Sequence, residues 1–263
     1  MSIGFFDSGI GGITVLHEAL KMLPSEDYIY YADTLNAPYG TKSREEVRIL
    51  VFNAVDFIVS LGVSAVVIAC NTATSVAVED LRRRYTIPII GMEPAVKPAV
   101  EKTGGTQKRV LVTATPLTLK EEKLKNLIDR IDNEHIVDLL PLPGLVTFAE
   151  TFEFRENVVS EYLKNELAAY ELNRYGTIVL GCTHFIFYRN ILKKIIPGNI
   201  DIIDGNIGTI NHLKKVLDGK GELKSGKGKI QWYCSGSPVE DVKRLAEFEL
   251  LMLILDSAEK SAV

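Results

Sequence analysis

Two cysteines stand in matching surroundings. Val66-Val67-Ile68-Ala69-Cys70-Asn71-Thr72 and Ile178-Val179-Leu180-Gly181-Cys182-Thr183-His184 each run from an apolar stretch through a small residue to a cysteine, then to polar residues that include a threonine. Taken singly, either cysteine reads as the small buried hydrophobe that free cysteine commonly is. Neither lies inside its apolar run, however. Each closes the run and is followed by hydrogen-bonding side chains that a core would have to satisfy at a cost. Zinc would need C-x-x-C spacing or clustered His and Cys, which the sequence lacks, so no metal is expected; a disulfide is disfavoured in a reducing compartment. Thiols on opposite walls of a cleft suit a pair of proton carriers. One thiolate removes a proton from one face of a carbon and the other thiol supplies a proton to the opposite face, which is racemisation or epimerisation. A free thiol, with a pKa of about 8.5, can act as base in one direction and acid in the other. Cys234, in Tyr233-Cys234-Ser235-Gly236, lacks this setting and reads as structural.

Asp7-Ser8-Gly9-Ile10-Gly11-Gly12 closes the first apolar run, and its glycines allow a tight turn that offers N–H groups to an anion. It does not fit G-x-G-x-x-G, and Gly40-Thr41-Lys42-Ser43 lacks the Gly-Lys pair of a phosphate loop. A turn alone explains the glycines; Asp7 and Ser8 add a carboxylate and a hydroxyl that a turn does not need. Pro38-Tyr39-Gly40, Thr115 and Thr118 lie in comparable loops and either complete a polar pocket or are ordinary loop residues.

The elements that position these residues alternate. Strands are predicted at 3–6, 28–31, 65–69, 87–90, 110–112, 136–139, 177–180, 200–203 and 230–233, with helices at 14–23, 43–61, 74–84, 119–131, 156–173, 187–195, 208–217 and 239–255. Ser43 and Glu46 fit a capping box. Near-continuous apolar runs such as Ala65-Val66-Val67-Ile68-Ala69 suit strands covered on both faces, so an α/β protein with largely parallel, doubly wound sheets is expected. Both cysteines then fall just past the carboxyl ends of strands, where open α/β sheets bind ligands. Polar stretches at 102–108 and 218–229 suggest boundaries; the second, rich in Gly and Lys, reads as an exposed loop with a basic patch as the sharper alternative.

Composition fits an ordinary globular enzyme: 263 residues, 46% apolar and 24% charged. Thirty Lys and Arg against 34 Asp and Glu leave a net charge of −4, which argues against nucleic acid as the main partner. No stretch has the length and apolarity of a membrane span, and the first residues do not read as a signal peptide, so no membrane partner and a cytoplasmic location are expected.

Asp7-Ser8-Gly9-Ile10-Gly11-Gly12, Pro38-Tyr39-Gly40, Ala69-Cys70-Asn71-Thr72-Ala73-Thr74 and Gly181-Cys182-Thr183-His184 occur in the order and spacing of glutamate racemases. The chain resembles that family over essentially its whole length. His184 after the second cysteine is closer to glutamate racemases than to aspartate racemases, which usually carry an acidic residue there. The resemblance implies a cofactor-independent isomerase interconverting L- and D-glutamate, the D-isomer serving peptidoglycan. By the same likeness Cys70 and Cys182 are the proton carriers, Asp7 assists Cys70, and His184 and Glu150 assist Cys182. Asp7, Ser8, Tyr39, Gly40, Asn71, Thr72, Thr183 and His184 hold substrate, with Thr115 and Thr118 as carboxylate contacts. The implied fold is two similar α/β domains, 1–95 plus 209–263 carrying Cys70 and 96–208 carrying Cys182, with the active site between them; a homodimer is an assembly it allows. The sequence departs from the family at Ile186, where proline is usual, and at Gly205, where serine is usual, and 144–150 follows it only loosely. Two rivals remain: a racemase of aspartate or another amino acid on the same fold, and a non-catalytic dicarboxylate-binding protein.

Overall fold

The computed structural model describes residues 1–221 and 226–260, with the side chains of 259 and 260 left aside. The middle of the polar loop at 218–229 thus lies outside the described residues. Ten strands are described: β1 Ile3–Asp7, β2 Tyr28–Ala32, β3 Ala65–Ile68, β4 Ile89–Gly91, β5 Arg109–Ala114, β6 Val137–Pro141, β7 Tyr175–Leu180, β8 Asp201–Asp204, β9 Ile230–Cys234 and β10 Ser237–Pro238. The described helices are α1 Ile13–Met22, α2 Arg44–Ser60, α3 Asn71–Arg84, α4 Val96–Thr103, α5 Pro116–Lys120, α6 Glu122–Ile131, α7 Pro143–Glu150, α8 Glu156–Leu167, α9 Arg189–Ile195, α10 Asn206–Lys220 and α11 Val242–Lys260. No helix among the described residues is long and apolar enough to cross a membrane.

Two sheets form, one in the order β10-β9-β2-β1-β3-β4 and one in the order β6-β5-β7-β8. Every pairing is parallel except β9 with β10. The fold is therefore α/β with two largely parallel sheets. Strand periodicity divides the apolar residues between layers. Phe5, Tyr30 and Val67 face a central core shared with Leu111, Ile178 and Leu180 of the second sheet. Phe6, Tyr31 and Ile68 face α2 and α3 on the far side of the first sheet, and Val110, Val112 and Val179 face α4 and α6 on the far side of the second. The continuous apolar runs follow from this: both faces of each central strand are covered.

Ser43 and Glu46 form the capping box of α2. Several boundaries move from their sequence-based positions. The segment read as one helix over 119–131 is two, α5 and α6, because Glu121 takes an extended backbone and turns its carboxylate to Arg44, 3.2 Å away across the gap between the sheets. The helix expected over 156–173 ends at Leu167, and that expected at 187–195 begins as a 3-10 turn at Thr183–Tyr188. Helices α4 and α7 were not foreseen; proline in the first turn of α7 disguises it as a loop.

The chain passes between the sheets after β4 and again after β8. The two passages touch. At Gly205 a methyl group would overlap the carbonyl oxygen of Glu93, so the position admits no side chain without a shift. Thr209 Oγ1 accepts a 2.9 Å hydrogen bond from the Glu93 amide, and His212 Nδ1 lies 2.6 Å from Glu93 Oε1. The departure at Gly205 is thus where the two passages meet, and Ile186 is half-buried in the Thr183–Tyr188 turn against the central core.

Candidate active site

Three strand ends supply the chemistry. Asp7 is the last residue of β1, Cys70 lies two residues beyond β3, and Cys182 two beyond β7 of the other sheet. All three are buried, Asp7 completely and the cysteines to 6% and 5% exposure. Cys70 precedes α3 as its N-cap, and its sulfur accepts from the Ala73 amide at 3.4 Å. That helix end favours a thiolate, yet burial, and after it the Asp7 charge, push the Cys70 thiol up to about 12. Desolvation wins, and Cys70 keeps its proton near neutrality. The thiol donates toward Ser8 Oγ at 3.5 Å, and Ser8 Oγ lies 3.5 Å from Asp7 Oδ1.

Asp7 joins the two halves. Its Oδ1 accepts from the Gly9 amide at 2.9 Å and its Oδ2 from Thr183 Oγ1 at 3.1 Å. Burial raises its carboxyl to about 6, against the opposing pull of His184. On the far side, His184 Nδ1 lies 3.7 Å from Cys182 Sγ and Nε2 lies 2.6 Å from Glu150 Oε1. Burial alone would strip the imidazole of its proton; its hydrogen bonds and charge interactions with Cys182 and Glu150 reverse that and hold it well above the ordinary histidine value. A doubly protonated ring donates at both nitrogens, Nδ1–H toward the sulfur and Nε2–H to the carboxylate. The two sulfurs are near enough for Cys182 to be among the groups that raise Cys70.

The glycine turn does present N–H groups to anions. Its amides bind the protein's own carboxylates: Gly9 N donates to Asp7, and Ile10 N donates to Glu150 Oε1 at 2.8 Å. Its glycines also let the halves approach, since a methyl on Gly9 would overlap Glu150, and one on Gly11 would overlap both His184 Nδ1 and Thr183 Oγ1. Gly11→Ala is expected to displace the buried His184 ring from Cys182 and to lower turnover on the order of 10²-fold, the cost of about 1 Å of misplacement. Steady-state kinetics beside a thermal melt checks this; wild-type turnover in a folded variant would refute it.

Thr72, Thr115 and Thr118 form a second polar cluster from both halves, with hydroxyl separations of 2.9, 3.0 and 2.9 Å. Gly40 abuts Thr115 so closely that a methyl there would overlap it. Tyr39 is buried and donates to Asp33 Oδ2 at 2.5 Å.

The Asp/Glu/Hydantoin racemase family model matches residues 13–213. The protein of Bacillus subtilis (strain 168) called glutamate racemase 2 is 55% identical over 263 residues, spanning 100% of this chain and 99% of its own. The chain belongs to the Asp/Glu/hydantoin racemase family. The glutamate racemase of Halothermothrix orenii is similar at 57% identity over 94% of this chain and 97% of its own. Among solved structures, glutamate racemase from Francisella tularensis subsp. tularensis SCHU S4, in complex with D-glutamate, superposes with a TM-score of 0.80 at 26% identity, over 96% of this chain and 93% of that one.

In this member of the Asp/Glu/hydantoin racemase family the structure brings Asp7, Ser8, Cys70, Glu150, Cys182, Thr183 and His184 into one connected cluster. Asn71 follows Cys70 and is the first residue of α3. With Thr118 and Gly181 it lines a cavity of about 410 Å³ that reaches Met92, Leu127 and Arg130, and neither thiol lines that cavity. Cys234 is half-buried against the central core. Sequence reasoning missed Asp33, the partner of Tyr39, and also Thr14 and Asn206 behind the Thr183 loop. A hydroxyl three residues after Gly11 at a helix start was the signal for Thr14; nothing local marks Asp33 or Asn206.

Proposed function

We propose that this protein is a glutamate racemase in which Cys70 and Cys182 exchange protons with opposite faces of the substrate α-carbon, without a cofactor. The observation that carries the reading is the pair of buried thiols at strand ends of two different sheets, joined through Asp7. With L-glutamate bound, the α C–H bond breaks toward Cys182 Sγ, beside the imidazolium of His184. The S–H bond of Cys70 then breaks and its proton joins the opposite face, giving D-glutamate with Cys182 protonated and Cys70 deprotonated. Asp7 assists Cys70: with a value of about 6 and a path through Ser8 Oγ, it can share the proton of a thiol whose ionised form burial makes costly. Ser8, Asn71, Thr72, Thr115, Thr118 and Thr183 supply donors for the two carboxylates, with Tyr39 and Gly40 shaping the wall. These donors stabilise charge as the α-carbon is deprotonated, and dryness strengthens them.

A buried cluster admits substrate only if the halves separate. The moving units in this reading are 1–95 with 209–263, and 96–208. The pairs Arg44 with Glu121 and Lys123 with Glu79, at 3.2 and 3.7 Å, bridge them on one side of the cleft. The product supplies peptidoglycan synthesis, and free thiols fit a reducing cytoplasm.

Incubation of L- or D-glutamate with pure protein in heavy water is expected to place deuterium on the α-carbon of both enantiomers. Calorimetric binding of glutamate with no exchange would make the protein a binder. Faster exchange of aspartate than of glutamate would make it a racemase of the other substrate.

A further inference from the structure

We infer that Thr14, oriented by Asn206, is a positioning residue for the Cys182 half of the reaction, an inference that rests on the racemase reading above. Thr14 is the second residue of α1 and is 2% exposed. Its hydroxyl donates to the Gly11 carbonyl at 2.9 Å and lies 3.4 Å from the Thr183 carbonyl. One belongs to the glycine turn after β1, the other to the loop after β7, so a single hydroxyl ties the backbones on which both halves of the cluster stand. Those backbones carry the chemistry. The Gly11 Cα packs against the His184 ring, and the Thr183 side chain holds Asp7.

A hydroxyl has one proton and can rotate. Asn206, the first residue of α10, fixes the rotor: its Nδ2 donates to Thr14 Oγ1 at 3.2 Å, which occupies an acceptor site and turns the Thr14 proton toward the two carbonyls. Asn206 is 3% exposed, and its Oδ1 is a buried side-chain oxygen without a hydrogen-bond partner among the described residues. An unsatisfied buried oxygen is destabilising, so stability alone gives little reason for an amide here. A donor aimed at Thr14 gives one. Asn206 also follows Gly205, so the chain passage between the sheets and the loop carrying Cys182 meet at Thr14.

The test compares wild type, Thr14→Val, Thr14→Ser and Asn206→Ala, each checked by circular dichroism, with glutamate deuterated at the α-carbon. Thr14→Val keeps shape and removes the hydroxyl. It is expected to lower kcat on the order of 10²-fold with a smaller change in KM, while Thr14→Ser recovers to within about three-fold of wild type. Slowing the Cys182 step more than the Cys70 step makes the substrate isotope effect on kcat/KM larger for the enantiomer whose α-deuteron Cys182 removes than for the other. Cys182→Ser, assayed the same way, identifies that enantiomer. Asn206→Ala is expected to show the same one-sided effect in weaker form, and it carries the test if Thr14→Val does not fold. Isotope effects that rise equally for both enantiomers, or a folded Thr14→Val with wild-type kcat, overturn the inference. Absence of α-exchange in the wild type overturns instead the racemase reading.

Discussion

Cys70→Ala and Cys182→Ala are each expected to lower racemisation by about 10⁴-fold, the upper end of what one positioned acid or base contributes. In the two-thiol reading each face of the α-carbon has a single sulfur to serve it, and the hydroxyls beside the two sulfurs are poor substitutes. Ser8, between Cys70 and Asp7, is a hydroxyl whose proton is far harder to remove than that of a thiol; Thr183, beside Cys182, is another. The fold should survive both changes. Each sulfur leaves a void of about one atom, and Cys70 also loses its bond from the Ala73 amide, so about 1 kcal/mol is expected for each. Turnover followed by circular dichroism of glutamate, beside thermal melts, separates the two effects. Full activity in either variant would remove that thiol from the mechanism.

Asp7→Asn is expected to trade activity for stability. The asparagine can still accept from the Gly9 amide and meet Thr183 Oγ1, so the geometry is retained, but it cannot share a proton with Cys70. A loss on the order of 10²-fold follows. Stability moves the other way, in a pH window set by the shift itself. The Asp7 carboxyl titrates near 3.8 when unfolded and near 6 when folded, so its contribution to folding is intact below about pH 3.8 and is lost as pH rises to about 6. Above that the native state holds a buried charge that water would have solvated. Asparagine has no such penalty, so the variant should melt higher than wild type at pH 8, by on the order of 2–3 kcal/mol before any relaxation of His184, and should lose that advantage near pH 4. A melting temperature lower than wild type at pH 8 would show that Asp7 is held ionised by its partners rather than against its burial.

The parts of the site that could be read from sequence were those fixed by local pattern. An apolar run ended by cysteine sets strand and strand end together, which is why Cys70 and Cys182 fall where the runs placed them. The Ser43 and Glu46 cap is equally local. The glycine turn could be read as a turn but not for its partner, because Glu150, which accepts from Ile10, lies 140 residues away at the end of a helix whose opening Pro143-Gly144 looks like a loop. The break between α5 and α6 was hidden for a similar reason. Helical periodicity runs through Glu121, and only the presence of Arg44 on the other side of the cleft gives that carboxylate a reason to leave the helix. Thr14 and Asn206 are tertiary in the same sense, since each finds its partner only when α1 and α10 pack together.

The unequal surroundings of the two sulfurs bear on kinetics in both directions. L- and D-glutamate have the same free energy in achiral water, so kcat/KM must be equal for the two whatever the site is like. In the two-thiol reading each turnover also leaves the pair of sulfurs with its proton moved from one to the other, and the free enzyme must return it before repeating the same direction. Because Cys70 faces Ser8 and Asp7 while Cys182 faces His184 and Glu150, the two proton arrangements differ in free energy, so the return after one direction runs downhill where the return after the other runs uphill. The asymmetry must then appear as a matched change in kcat and KM: the enantiomer with the larger kcat has the larger KM in the same proportion.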